Sequence, residues 1–152
     1  VAYSPRVKAA LLKLKEMSQR EAGGDGRRLI DDPDFKTRLA KLEIGVQASE
    51  IIEKRVMSAL SQGQNPGASS SIFKLRGSEL LQETLEMTMN ALGYYANPYQ
   101  PEAFVPGNNV EPIAPEYGLV ATSKYYNQRA ATIYAGSSEV QRSILAKHVL
   151  GL

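Results

Sequence analysis

Cysteine is absent from the 152 residues, and histidine occurs once, as His148. The first absence excludes a disulfide framework, a thiolate metal site and a cysteine nucleophile. With a single histidine there is no ligand set for zinc either, so no metal is expected. A chain without cysteine fits a reducing compartment, and a cytoplasmic location is the expectation. No apolar run approaches the roughly 20 residues that cross a bilayer. No secretory signal pattern opens the sequence. An initiating methionine is also missing, because the chain starts Val1-Ala2-Tyr3-Ser4-Pro5; the expectation is a piece of a longer polypeptide. Neither sign of charge dominates: 18 basic and 16 acidic residues give +2. Lys8, Lys13 and Lys15 alternate with leucines and alanines and read as the wet side of a helix. A nucleic-acid footprint needs basic residues gathered on one face, so no nucleic-acid partner is expected. There is no Walker loop, and Gly23-Gly24-Asp25-Gly26 follows no strand pattern, which removes a Rossmann reading.

What the sequence does contain is helical periodicity, with no sustained alternation of the strand type. A first helix is expected from about Pro5 to Arg20, burying Val7, Leu11, Leu12, Leu14 and Met17 and ending in the glycines after Ala22. A second starts at Asp32-Pro33, where aspartate can cap the free N–H groups and proline has none to leave unpaired. Phe35, Leu39, Leu42 and Val46 step along its apolar face, which Ile52, Val56 and Leu60 prolong. After the Gln62–Gly67 loop, a third helix runs from about Ser70 to Leu92 through Ile72, Leu75, Leu81, Leu85, Met89 and Leu92, with Gly93 to stop it. Met57, Met87 and Met89 fall on these stripes and are expected in the core. Then comes an irregular stretch, Tyr94 to Glu116, holding Pro98, Pro101, Pro106, Pro112 and Pro115. Loops of this length tend to carry function or to be flexible. A fourth helical region runs from about Tyr117 to Ala131, breaks at Ala135-Gly136-Ser137 and resumes through Val149. Ser138 and Gln141 have the spacing of a capping box. The sum is one all-α domain over 1–152, an up-down four-helix bundle.

Chemistry has few places to sit. His148, near the end of the last helix, suits the free carboxy-terminal carbonyls there, a structural role. The distinctive stretch is Thr132-Ile133-Tyr134-Ala135-Gly136-Ser137-Ser138-Glu139-Val140-Gln141-Arg142. A turn of small residues opens straight into a helix start, whose unpaired N–H groups attract anions and acceptors. On the residues alone, this reads first as a well-capped break between helices and second as a ligand site.

That stretch, continued to Leu152, resembles the closing signature of the acyl-CoA dehydrogenases, in which a short segment leads into Gly-Thr/Ser-Ser-Glu-Ile/Val-Gln-Arg and a helix ending near Leu-Gly. Upstream, Asp31-Asp32-Pro33, Lys74 with Ser78-Glu79, and Gly93-Tyr94 are similar to the same family. The resemblance implies the C-terminal helical domain of an FAD-dependent enzyme that oxidises an acyl-CoA thioester to the α,β-enoyl-CoA, with roles in fatty acid or lipid catabolism. It implies that Ala135 and Gly136 lie beside the substrate thioester, and that Ser137, Ser138 and Glu139 contact FAD. It also implies the remaining domains of the parent chain and a homo- or hetero-oligomer, a dimer or tetramer, as partners.

Three positions depart from the family pattern. Many members carry the catalytic glutamate where this chain has Ala135, and alanine accepts no proton. No catalytic residue is therefore assigned here. In the isovaleryl-type branch this position is also alanine and the base comes from the first helix of the C-terminal domain; such a base is expected here just ahead of Val1. The Arg-x-x-Phe-Gly segment has no counterpart, and the Gln-x-x-Gly-Gly segment is reduced to Met89-Asn90-Ala91-Leu92-Gly93. Two alternatives accompany the dehydrogenase reading: a non-catalytic subunit of a heteromeric dehydrogenase, and a flavin-free helical oligomerisation domain. The loop from Tyr94 to Glu116, with Tyr94, Tyr95, Tyr99 and Phe104, reads as a solvent-facing cover or an interface before it reads as the border of an acyl pocket.

Overall fold

The computed structural model describes residues 3–152; Val1 and Ala2, which the single-domain expectation includes, lie outside the described residues. Three long helices come first: α1 (Ser4–Ser18), α2 (Pro33–Ser61) and α3 (Ser69–Leu92). Two shorter helices follow, α4 (Ala121–Arg129) and α5 (Ser138–Leu145), with α5 widening into a π-helical turn at Ala146–Leu150. Among the described residues there is no strand, only an isolated antiparallel bridge between Ala22 and Arg28. No helix among them is long and apolar enough to cross a membrane.

The starts and stops follow from local chemistry. Asp32 is extended, and its carboxylate accepts a hydrogen bond from the Phe35 N–H at 2.7 Å, which caps α2. The start of α1 is capped from a distance. Glu53, on α2 and 8% exposed, accepts from the backbone N–H groups of Tyr3 and Ser4 at 2.8 and 3.0 Å and from the Ser4 hydroxyl. One carboxylate thus meets the free donors of α1 and ties that helix to α2. α3 ends at Gly93, whose φ of 55° and ψ of −125° only glycine adopts readily.

α3 is the hub, packed against each of the other four helices. Val7, Leu11 and Leu14 of α1, Leu39, Leu42 and Val46 of α2, and Leu80, Leu81, Leu85 and Met87 of α3 form one apolar core. A smaller cluster joins Met17, Leu92, Ala96 and Ala121 at one end. Three expectations fail at the periphery. Leu12 is 59% exposed, because Leu11 and Leu14 already fill the core-facing stripe and Leu12 falls beside it. Met57 and Leu60 are exposed as well, because α2 outlasts the core it packs on. Ile52 and Val56 are only half-buried there.

Candidate functional site

The five residues expected at the site occupy one turn and the first turn of α5. The chain leaves α4 through a 3-10 turn at Ala130–Thr132 and then reverses. Ala135 has a φ of 55°, the only non-glycine residue with positive φ among those described, and Gly136 follows at 89°. For an alanine this left-handed conformation costs about 1–2 kcal/mol. Such strain persists where surrounding structure holds it, and it clusters at functional sites. Gly136 suits its left-handed backbone, and a Cβ there would push aside the end of the Gln141 side chain.

The helix that follows is capped by Ser137, not by Ser138 as the capping-box spacing suggests. Ser137 is extended, with φ −62° and ψ 159°, so its hydroxyl reaches the Val140 N–H at 3.4 Å. Ser138 is already inside the helix; it is 4% exposed, and its hydroxyl has no partner. Glu139 projects outward. Its own backbone N–H, then the Ser137 hydroxyl, then the charges of Arg142 and Lys74, hold its carboxyl below the usual carboxylate range. The turn therefore presents a helix start and an ionised carboxylate, with an unpartnered hydroxyl buried behind them.

α5 is fixed to α3 by Arg142, which bonds Glu79 at 2.8 Å, while Arg76 holds the other Glu79 oxygen at 2.6 Å. Beside this pair lies Lys74, 9% exposed, whose ammonium has no hydrogen-bond partner among the described residues. Its charge is near enough to act on Glu139. A buried ammonium without a partner is unfavourable for the fold. On the same side, Tyr3 of the α1 approach packs so closely on α3 that a Cβ at Gly77 would lie 2.4 Å from it. Burial, then the neighbouring Tyr134, pushes the Tyr3 phenol up, with Arg6 opposing.

Sequence reasoning placed Lys74 on α3 but not in the interior, and it missed Glu53 and Tyr3. A signal existed for Lys74: with Ser78, Leu81 and Leu85 it steps by four, three and four along a buried stripe. His148 sits exposed in the terminal π-helical turn, away from the turn at 135–139. No group of three or more His, Asp or Glu among the described residues is placed to hold a metal.

A family model described as "Acyl-CoA dehydrogenase, C-terminal domain" matches residues 8–150. Among solved structures, the chain is similar to one in the ChsE4-ChsE5 complex from Mycobacterium tuberculosis, with 28% identity and a TM-score of 0.75 over 100% of this chain and 36% of that one. It is also similar to the glutaryl-coenzyme A dehydrogenase glutaryl-CoA complex (16% identity, TM-score 0.75, 98% of this chain and 33% of that one). A third relative is the acyl-CoA dehydrogenase from Geobacillus kaustophilus (16%, 0.71, 97% and 34%). At 16% identity, these last two establish the fold alone. The chain spans about a third of the length of these solved relatives. No curated protein matches it. With nearly its whole length matched by the one model, the chain belongs to the acyl-CoA dehydrogenase C-terminal domain family.

Proposed function

We propose that this domain serves a parent flavoenzyme that oxidises an acyl-CoA thioester to the α,β-enoyl-CoA, with the turn at Ala135–Glu139 facing flavin and substrate. The observation that carries the reading is the strained left-handed Ala135 leading directly into the capped start of α5. FAD suits the residues present. The Ser138 hydroxyl lacks a partner, the first N–H groups of α5 have none within their helix, and the ionised Glu139 can accept from a sugar or ribityl hydroxyl. When bound, the flavin supplies the hydride-accepting chemistry. The domain's residues orient: Ser137, Ser138 and Glu139 hold the cofactor edge, while Ala135 and Gly136 leave room for the thioester and keep water from it.

The turn contains no group to take the α-proton. Ala135 has no acceptor, Glu139 is held ionised at the outer edge of the turn, and the Glu53 carboxylate is committed to the start of α1. The base therefore belongs to the parent outside this chain. The same fact favours a second reading, a non-catalytic subunit that completes a partner's flavin site. Its precedent in form is the two-component complex named above.

The test is to purify the parent and record its visible absorbance, then assay acyl-CoA oxidation with an artificial electron acceptor. Bound FAD with turnover supports the first reading, and bound FAD with activity only beside a second subunit supports the second. A colourless parent that cannot be reconstituted with FAD removes both and leaves a helical oligomerisation domain. Turnover by the 152-residue chain alone would contradict a base located elsewhere.

A further inference from the structure

An open feature of the molecule lies away from the turn. A trough of about 640 Å³ runs between α1 and α4 over a floor supplied by α3. Its α1 wall is a single face, Arg6, Ala9, Ala10, Lys13, Met17 and Arg20, spaced at three, one, three, four and three residues. That face extends over roughly four turns, so the trough is elongated. The opposite wall is Val120, Ala121, Lys124 and Gln128, and the floor is the buried pair Leu81 and Leu85. Alanine at positions 9 and 10 leaves space along the α1 wall.

The charges along it are unevenly placed. Tyr117 donates to Glu21, and Met17 meets Ala121 in one apolar cluster, so α1 and α4 run antiparallel with those residues at one end. Lys13 and Arg6 must then lie toward Lys124 and Gln128 at the other. The two acids of the lining, Glu16 and Glu116, fall at the Met17 end together with Arg20. The far end is left with three basic side chains and no acid.

On the opposite side of α1 the lysines are satisfied, Lys8 by Glu50 and Lys15 by Glu43 of α2. Arg6, Lys13, Arg20 and Lys124 have no ion pair among the described residues. At the basic end Gln128 is 3% exposed, and its side-chain oxygen has no partner. An amide offers an acceptor and, on rotation, two N–H donors.

We propose that the trough binds a single-chain amphiphile with an anionic head group. The apolar tail lies along Ala9, Ala10 and Val120, above the buried Leu81 and Leu85. The head group sits among Arg6, Lys13 and Lys124 with the Gln128 amide as a hydrogen-bond partner. The volume is within the range of small-molecule sites, and an apolar floor with a few convergent polar groups is their usual construction. This site is independent of the flavin reading, because none of its residues belongs to the turn at 135–139.

The test is calorimetric titration of the chain with dodecanoate below its micellar concentration, beside dodecyltrimethylammonium and hexanoate. One saturable site is expected for dodecanoate, with at least about tenfold weaker binding of the cationic and short-chain compounds. Replacing the two rim charges together, R6Q with K124Q, is expected to weaken dodecanoate about tenfold without changing the melting temperature. Filling the trough with Ala9→Trp is expected to abolish binding while leaving the helical circular dichroism intact. Equal affinity for both head groups, no effect of the double charge variant, or no saturable binding would each overturn the proposal.

Discussion

From α1 to α3 the core and the seam between α1 and α2 are closely matched. The apolar residues that reach the interior meet one another in a single core, the lysines facing α2 meet glutamates, and the start of α1 meets a carboxylate sent across from α2. From α4 to α5 the pattern reverses. The helices are short, the turn between them holds an alanine in a strained conformation, and the Lys74 ammonium and Ser138 hydroxyl beside it are sealed without partners. The same chain thus builds one region for stability and leaves another poised. The residues that stabilise the fold are recognisable by what they already touch.

Three substitutions sharpen this contrast, and their effects should fall in order. Leu14→Ala empties the centre of the satisfied region, where the side chain is 0% exposed. It is expected to destabilise the chain by about 2–5 kcal/mol in urea unfolding, through lost burial and the cavity left behind. Lys74→Met acts in the poised region and with the opposite sign. Removing a buried charge without a partner is expected to raise stability by about 1–3 kcal/mol, read as a melting temperature several degrees higher. In the parent the same change should weaken flavin retention. If Lys74→Met instead lowers the melting temperature, the ammonium is serving the fold and the contrast fails at this residue. The smallest effect is expected from Ala135→Gly. Glycine relieves the left-handed strain but frees the unfolded chain, so the net gain should be only about 0.5 kcal/mol. A loss of more than 1 kcal/mol on thermal unfolding would show that the alanine methyl packs rather than strains.

The legible features were those set by period and by local capping. Asp32-Pro33 fixed the start of α2, Gly93 the end of α3, and the stripe Leu39, Leu42, Val46 its side of the core. The turn at Ala135–Glu139 was visible because small residues before a helix start leave a mark in sequence. Ser137 rather than Ser138 as the cap was not visible, since both are serine and backbone conformation alone decides between them. Glu53 could not be read either. It lies 49 and 50 positions from the backbone groups it binds, and no local pattern announces a cap supplied by another helix. Lys74 was hidden by the habit of reading lysine as solvent-facing, although its spacing put it on the buried stripe.

Ala135 has a consequence that reaches beyond folding. The backbone there is already left-handed, and an unbranched side chain such as glutamate meets the same conformational penalty as alanine, whereas valine, isoleucine and threonine meet a larger one. Each alanine codon is one base from a codon for glutamate or aspartate. In genetic terms the position is one step from a carboxylate, with the turn that would present it already in place.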